Sequence, residues 1–309
     1  MKVYYGLDEF NKVGKIVATI GTFDGVHIGH KKLLKNLVAH GKICQAESLL
    51  LTFFPHPRMV LFPESNDLKL LNSQDEKIEL LSNLGIDHLI IEPFTREFSR
   101  LTSTEFVRDV LINTIGVQRL VIGYDHHFGR NREGSFGSLS EISSLYNFEL
   151  KEIGAKVIDD INISSTKIRK ALTDGNIDIA NEYLSYNFQI SGTVIEGNKL
   201  GRTIGFPTAN IKPIDKYKLI PGLGVYAVRV TVNKTILFGM LNLGNRPTVE
   251  NTENTTIEVH IFDFNDDIYE QQISIEFVKR IRDEKKFENT AELQEQLDLD
   301  EINCRAIFD

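Results

Sequence analysis

Tryptophan is absent from this chain, and only two of its 309 residues are cysteine. Cys44 and Cys304 lie far apart and in no metal-type spacing. That excludes a disulfide scaffold and fits a reducing compartment, so a cytoplasmic protein is expected. Long hydrophobic runs are also missing. The longest apolar stretch, around Leu49 to Phe54, is far too short to cross a bilayer. The opening MKVYYGLDEFNKVGK has no apolar segment of the secretory kind. Positive charge is in deficit, with 35 Lys and Arg against 43 Asp and Glu, a net charge of −8. A protein that coats nucleic acid is therefore disfavoured, while a small anionic ligand in a local basic pocket remains open. No internal repeat or low-complexity segment is visible. What is present is the composition of a globular protein with ample core, 41% hydrophobic and 25% charged. At roughly 150 residues per domain the length suggests two domains.

The first 185 or so residues alternate strands with helices. Lys15–Ile20, Ser48–Phe54, Asp87–Ile91, Arg119–Gly123 and a stretch within Phe148–Val157 read as strands. Helices are expected over Lys31–His40 and after the capping signatures Ser73-x-x-Glu76, Thr102-x-x-Glu105 and Ser138-x-x-Glu141. Continuous apolar strands between amphipathic helices indicate a parallel sheet covered on both faces, an α/β architecture of the Rossmann-like kind. Ligands of such sheets sit beyond the carboxyl ends of the strands. A helical stretch begins near Thr166. From about Tyr186 the period becomes two: Tyr226, Val228, Val230 and Val232 alternate with Ala227, Arg229 and Thr231. The runs around Ile257–Ile261 and Ile273–Phe277 behave alike. These are antiparallel strands, read as a small β-barrel, and Asn289-x-x-Glu292 caps a terminal helix. The expected domains are 1–185 and 186–309.

GTFDGVHIGH, residues 21–30, follows the first strand directly. Gly21 and Gly25 let backbone approach a ligand, and Gly29 relieves crowding where the next helix begins. His27 and His30, at i and i+3, can share one face at that helix's N-terminus, where unpaired N–H groups and the positive dipole end favour phosphate. Histidines there can donate to phosphoryl oxygens as charge builds during transfer. An incidental surface pair, or a metal site drawing on His126 and His127, is the competing reading. The stretch resembles the HxGH signature of the nucleotidyltransferase superfamily. Ile163-Ser-Ser-Thr-Lys-Ile-Arg169 is similar to that superfamily's second phosphate-binding signature. Read alone, it is an N-cap followed by solvated Lys167 and Arg169. Thr52-Phe-Phe-Pro-His-Pro57 and Gly123-Tyr-Asp-His-His-Phe-Gly129 also follow strands. Together these blocks resemble the FMN adenylyltransferase module of bacterial bifunctional riboflavin kinase/FAD synthetases. The resemblance implies ATP contacts at Gly21, Phe23, Asp24, Gly25, His27, His30, Ser164, Ser165, Thr166 and Arg169. It implies flavin contacts at Pro55, His56, Pro57 and Asp125. His126-His127 stand where the family often has an aromatic residue first.

In the second half, Gly192–Gly197 and Gly201-Arg-Thr-Ile-Gly-Phe-Pro-Thr-Ala-Asn210 stand out. Pro207 lacks an N–H and fits a central strand poorly. Thr208 and Asn210 offer hard oxygens suited to Mg²⁺, and the glycines can admit phosphates. A glycine-rich β-turn is the plainer alternative. GRTIGFPTAN is similar to the riboflavin kinase signature. The likeness continues through PGLGVYAV, NLGNRPTV, IEVHIFDF and IRDEKKF. It implies ATP contacts at Gly192, Gly197, Gly201, Arg202, Gly205, Pro207, Thr208 and Asn210, Mg²⁺ at Thr208 and Asn210, and flavin contacts at Arg282, Glu284 and Phe287. Glu258 matches the family's general base, which a weakly nucleophilic alcohol requires. The charges around Arg280–Lys286 otherwise read as a solvated face. Riboflavin, FMN and ATP are then the expected small-molecule partners, with no nucleic acid, membrane or obligate protein partner.

Overall fold

A computed structural model describes residues 1–65, 68–123, 129, 136–154, 163–197, 200–246 and 254–309. The chain divides into two compact units, one of residues 1–68 and 74–164, the other of residues 69–73 and 165–309.

The first unit is built on six parallel strands: β1 (Lys2–Tyr4), β2 (Ile16–Ile20), β3 (Glu47–Phe54), β4 (His88–Pro93), β5 (Val117–Gly123) and β6 (Glu149–Ile153). Their order across the sheet is β1-β4-β3-β2-β5-β6. Strand β2 is buried along its whole length, as a central strand with both faces covered must be. On one face Ile16, Ala18 and Ile20 pack with Phe106, Val110 and Leu111. On the other, Val17 and Leu50 meet Leu34 and Leu37 of α1 (Ile28–Cys44) and Leu81 of α3 (Gln74–Ser82). Between these helices a short α2 spans Pro57–Leu61. The expected capping box forms at Thr102 and Glu105, opening α4 (Ser103–Glu105), which continues as a π-helical segment over Phe106–Ile115. Helix α5 (Phe136–Tyr146) begins two residues before Ser138, where the sequence pattern placed its start.

The second unit opens with α6 (Ser165–Thr173) and α7 (Ile177–Leu184). The helices belong here because Ile168, Leu172, Ile177 and Leu184 are buried and Asn181 is tied to the strands that follow: its amide donates to the Phe277 carbonyl at 2.8 Å and accepts from the Phe188 N–H at 2.7 Å. The compact units therefore divide ahead of residue 186, the point expected from patterning. Strands β7 (Gln189–Ile195), β8 (Ala209–Pro213), β9 (Gly224–Val232), β10 (Thr235–Arg246), β11 (Asn254–Ile261) and β12 (Gln272–Arg282) close an antiparallel barrel in the order β10-β11-β8-β7-β12-β9. A four-residue helix α8 (Leu200–Thr203) precedes β8, and α9 (Thr290–Phe308) ends the chain. Tyr226, Val228, Ile275 and Phe277 are buried as period-two residues should be. Ala227 and Met240 are also buried, because Cys304 of α9 and Phe206 cover that part of the outer face. The Asn289 side chain caps α9 as expected, accepting from the Glu292 N–H at 3.0 Å.

Candidate active sites

The turn after β2 is wound by left-handed residues. Phe23 lies at φ 48, Gly25 at 87 and Val26 at 36. Glycine takes this conformation freely, whereas a β-branched valine there costs about 1–3 kcal/mol, and strain of this sort concentrates where a site demands it. The turn delivers His27 as the N-cap of α1, its Nδ1 accepting from the His30 N–H at 3.4 Å. That bond leaves the ring proton on Nε2. The His30 ring stacks on His27 at 3.6 Å between centroids and meets Phe23 at 4.9 Å. Its Nδ1 is shut away from water without a protein partner. Burial pushes His27 down to about 4, and His30 is depressed well below its ordinary value by burial and then by His27 and Lys77. Two charged rings this close would repel, so at neutral pH both are neutral N–H donors awaiting an acceptor. The six expected contacts between Gly21 and His30 thus fall in one strand–turn–helix unit at the carboxyl edge of the sheet.

Pro55, His56 and Pro57 follow β3 on the same edge. The Phe54–Pro55 peptide is cis. The His56 Nδ1 accepts from the Arg58 N–H at 3.1 Å and caps α2, so this histidine has a structural task. Ser164 closes the first unit, while Ser165, Thr166, Lys167 and Arg169 sit in the opening turns of α6. The Arg169 Nε donates to the Lys69 carbonyl at 2.8 Å. Asp125, His126 and His127 lie outside the described residues.

In the second unit the register brings the chemistry together. Glu258 of β11 stands directly across from Asn210 of β8 on one side and Asn242 of β10 on the other. Paired residues of adjacent strands project from the same face, so an amide, a carboxylate and an amide form one row. Gly197 is pressed against the Asn210 amide, and any side chain there would collide with it. Gly192 lies within β7, while Gly201 and Arg202 lie in α8. Gly205, at φ 89, turns the chain into Phe206 and Pro207. The Pro207 carbonyl accepts from the imidazole of His260 at 2.7 Å, which fixes the PTAN segment against β11. Beside it opens a cavity of about 410 Å³, within the size range of small-molecule pockets. Val194, Val259 and Ile261 make it apolar, Thr208 and Arg202 make it polar, and Phe264–Tyr269 complete the lining.

Arg282, Glu284 and Phe287 divide. The Arg282 guanidinium grips Asp300 of α9 with three contacts of 2.7 to 3.0 Å. Glu284 lies against Gly244. Phe287, half-buried, is flanked by Arg282 at 5.8 Å and Lys285 at 5.4 Å. Two features escaped the sequence reading. Asn242 sits inside the NLGNRPTV block, and only strand register reveals that it faces Glu258. The Asn265-Asp266-Asp267 segment follows IEVHIFDF, but nothing in the pattern marks it as a cavity wall.

Comparison with known families now gives these features a name. A family model for FAD synthetase matches residues 10–167, and one for riboflavin kinase matches residues 184–308. A bifunctional riboflavin kinase/FMN adenylyltransferase of Listeria monocytogenes is 38% identical over 97% of this chain and 95% of its own. The protein of that description from Escherichia coli is 36% identical over 100% of this chain and 98% of its own. A crystal structure described as a macrolide-efflux protein from Streptococcus pneumoniae superposes with a TM-score of 0.90 at 30% identity, covering 98% of both chains. Among the described residues of the present chain, no helix is long and apolar enough to cross a membrane. The two family models and these relatives define a nucleotide-dependent transferase with two activities. The chain belongs to the bifunctional riboflavin kinase/FMN adenylyltransferase family, and it is an enzyme with both activities.

Proposed function

We propose that the two activities divide between residues 1–185 and 186–309 and act in sequence. In the barrel, ATP phosphorylates the ribityl 5′-hydroxyl of riboflavin, giving FMN and ADP. Glu258 accepts the hydroxyl proton as the phosphoryl group transfers. The observation that carries this is the Asn210–Glu258 cross-strand pair, one residue along each strand from Ala209 and Val259, which line the cavity with Thr208. Thr208 and Asn210 supply two hard oxygens. Two neutral protein oxygens are a donor set suited to Mg²⁺, which fills the rest of its shell with water and substrate phosphates. Thr208 and Asn210 would hold Mg²⁺, which would supply positive charge to the transferring phosphoryl group. Arg202 and the cavity's apolar side chains fit the nucleotide. Phe287 offers a ring to the flavin, while Arg282 holds α9 through Asp300.

The α/β unit then transfers AMP from a second ATP to FMN, giving FAD and pyrophosphate. The FMN phosphate is already an anionic nucleophile, so this site needs charge stabilisation rather than a base. Neutral His27 and His30 supply N–H donors, and the start of α1 adds its dipole. Ser164, Ser165, Thr166 and Arg169 serve as the second phosphate-binding stretch, and the family resemblance assigns flavin contacts to Pro55–Pro57 and Asp125. The enzyme works in the cytoplasm on small molecules alone. Purified protein given riboflavin, ATP and Mg²⁺ should form FAD with one ADP and one pyrophosphate released per molecule, and supplied FMN should give FAD with pyrophosphate alone. FAD formed without that stoichiometry, or FMN as the sole product, would overturn the two-step scheme.

A further inference from the structure

Lys77, in the second turn of α3, is the one buried lysine or arginine of the first unit among the described residues. Among the described residues its ammonium makes one long hydrogen bond, 3.4 Å to the Thr22 carbonyl, which already accepts from the Thr52 hydroxyl at 3.2 Å. An ammonium carries three donors, and burying it with so little compensation is costly unless a ligand completes the set. Asp24, itself buried, is the charge that faces it from the turn, and His30 faces it from α1. Glu76 is its neighbour on its own helix. One turn earlier on the same helical face, the Gln74 Nε2 is buried with no partner. The histidines beside Lys77 are neutral, so neither brings a positive charge to a triphosphate.

We propose that Lys77 is a further substrate-holding residue of adenylyl transfer, the buried cation that leaves the Thr22 carbonyl for the triphosphate of ATP, with Gln74 as a companion donor. This rests on the reading of the GTFDGVHIGH turn as the adenylyl site. Bound phosphate supplies the missing acceptors and holds the ammonium protonated. In the free enzyme, burial lowers Lys77 to about 8, opposed by Asp24. The cation is therefore present below that pH and lost above it. The second ionisation of substrate phosphates, near pH 6, is complete well before then.

The test measures FAD formation from FMN and ATP by the full chain between pH 6 and 10, for wild type, Lys77→Met and Lys77→Arg. Because kcat/KM reports the free enzyme, wild-type kcat/KM for ATP should fall as pH rises through about 8, with kcat much flatter. Lys77→Met should lose about 10–100-fold in kcat/KM at pH 7, the scale of a charge-assisted hydrogen bond. It should show no alkaline limb and converge with wild type at high pH. Lys77→Arg should keep partial activity and carry the limb beyond pH 10. A Lys77→Met profile parallel to wild type, normal activity in that variant, or a wild-type profile flat to pH 9.5 would overturn the proposal. Should Lys77→Met fail to show a normal thermal transition, the arginine variant decides: a limb left near pH 8 in Lys77→Arg is also contrary. His30→Ala on the same preparations separates the two ideas. Undiminished FAD formation in that variant counts against the turn as the adenylyl site, not against Lys77 alone.

Discussion

Removing the Asp300 carboxylate should destabilise the barrel by an amount the structure allows one to work out. Asp300 is only 1% exposed and Arg282 20%. The carboxylate accepts from Arg282 at 3.0, 2.9 and 2.7 Å and from the Gln296 amide at 3.0 Å. Truncating one partner of a buried pair strands the other and costs about 3–5 kcal/mol. Arg282 retains some water and a bond to the Asp283 carbonyl at 2.9 Å, so the lower end, about 3 kcal/mol, is expected for Asp300→Ala. For a unit of this size that is a fall of about 6–12 °C in Tm. The transition should be followed by loss of riboflavin phosphorylation, which assigns it to the second unit. Adding Arg282→Met to Asp300→Ala removes the stranded charge and should recover part of the loss. An Asp300→Ala Tm within about 1 °C of wild type, or a double variant less stable than the single one, would refute the reasoning.

Two further outcomes follow from the second unit. Thr208→Ala and Asn210→Ala each delete a hard oxygen, so the Mg²⁺ needed for half-maximal FMN formation should rise severalfold; unchanged titrations in both would return PTAN to a plain turn. Cys304 is fully buried, and its thiol is pushed up to about 12 by burial and then by Asp300 and Glu301. At pH 8 almost no thiolate forms there. Thiol titration should find partly exposed Cys44 reactive and Cys304 silent until unfolding, and prompt reaction of both thiols in the native protein would be contrary.

The parts of this molecule written locally were legible in the sequence. Lys15–Ile20 reads as a buried strand because Ile16, Val17, Ala18 and Ile20 are apolar, and the glycines and histidines after it are contiguous. Capping at Thr102 and Asn289 involves side chains three residues apart. What escaped depends on partners distant in sequence. Lys77 has the look of an exposed helical lysine until the Thr22 turn closes over it. Arg282 reads as part of a solvated charge run because Asp300 lies on another element. Ala227 breaks the simple alternation only once α9 covers it. Edge strand β1 is three residues long, below what periodicity can register.

The central claim is that two chemically different sites occupy separate parts of one chain, and one crossed measurement tests it. FMN formation from riboflavin and FAD formation from supplied FMN would be assayed side by side on full-length wild type, Glu258→Gln and His30→Ala. Losing the base should cut FMN formation by about 10²–10⁴-fold and spare FAD formation. Losing the His30 donor should cut kcat of FAD formation by about 10²–10³-fold and spare FMN formation. Both activities falling together in either variant, or near-normal riboflavin phosphorylation by Glu258→Gln, would contradict the account.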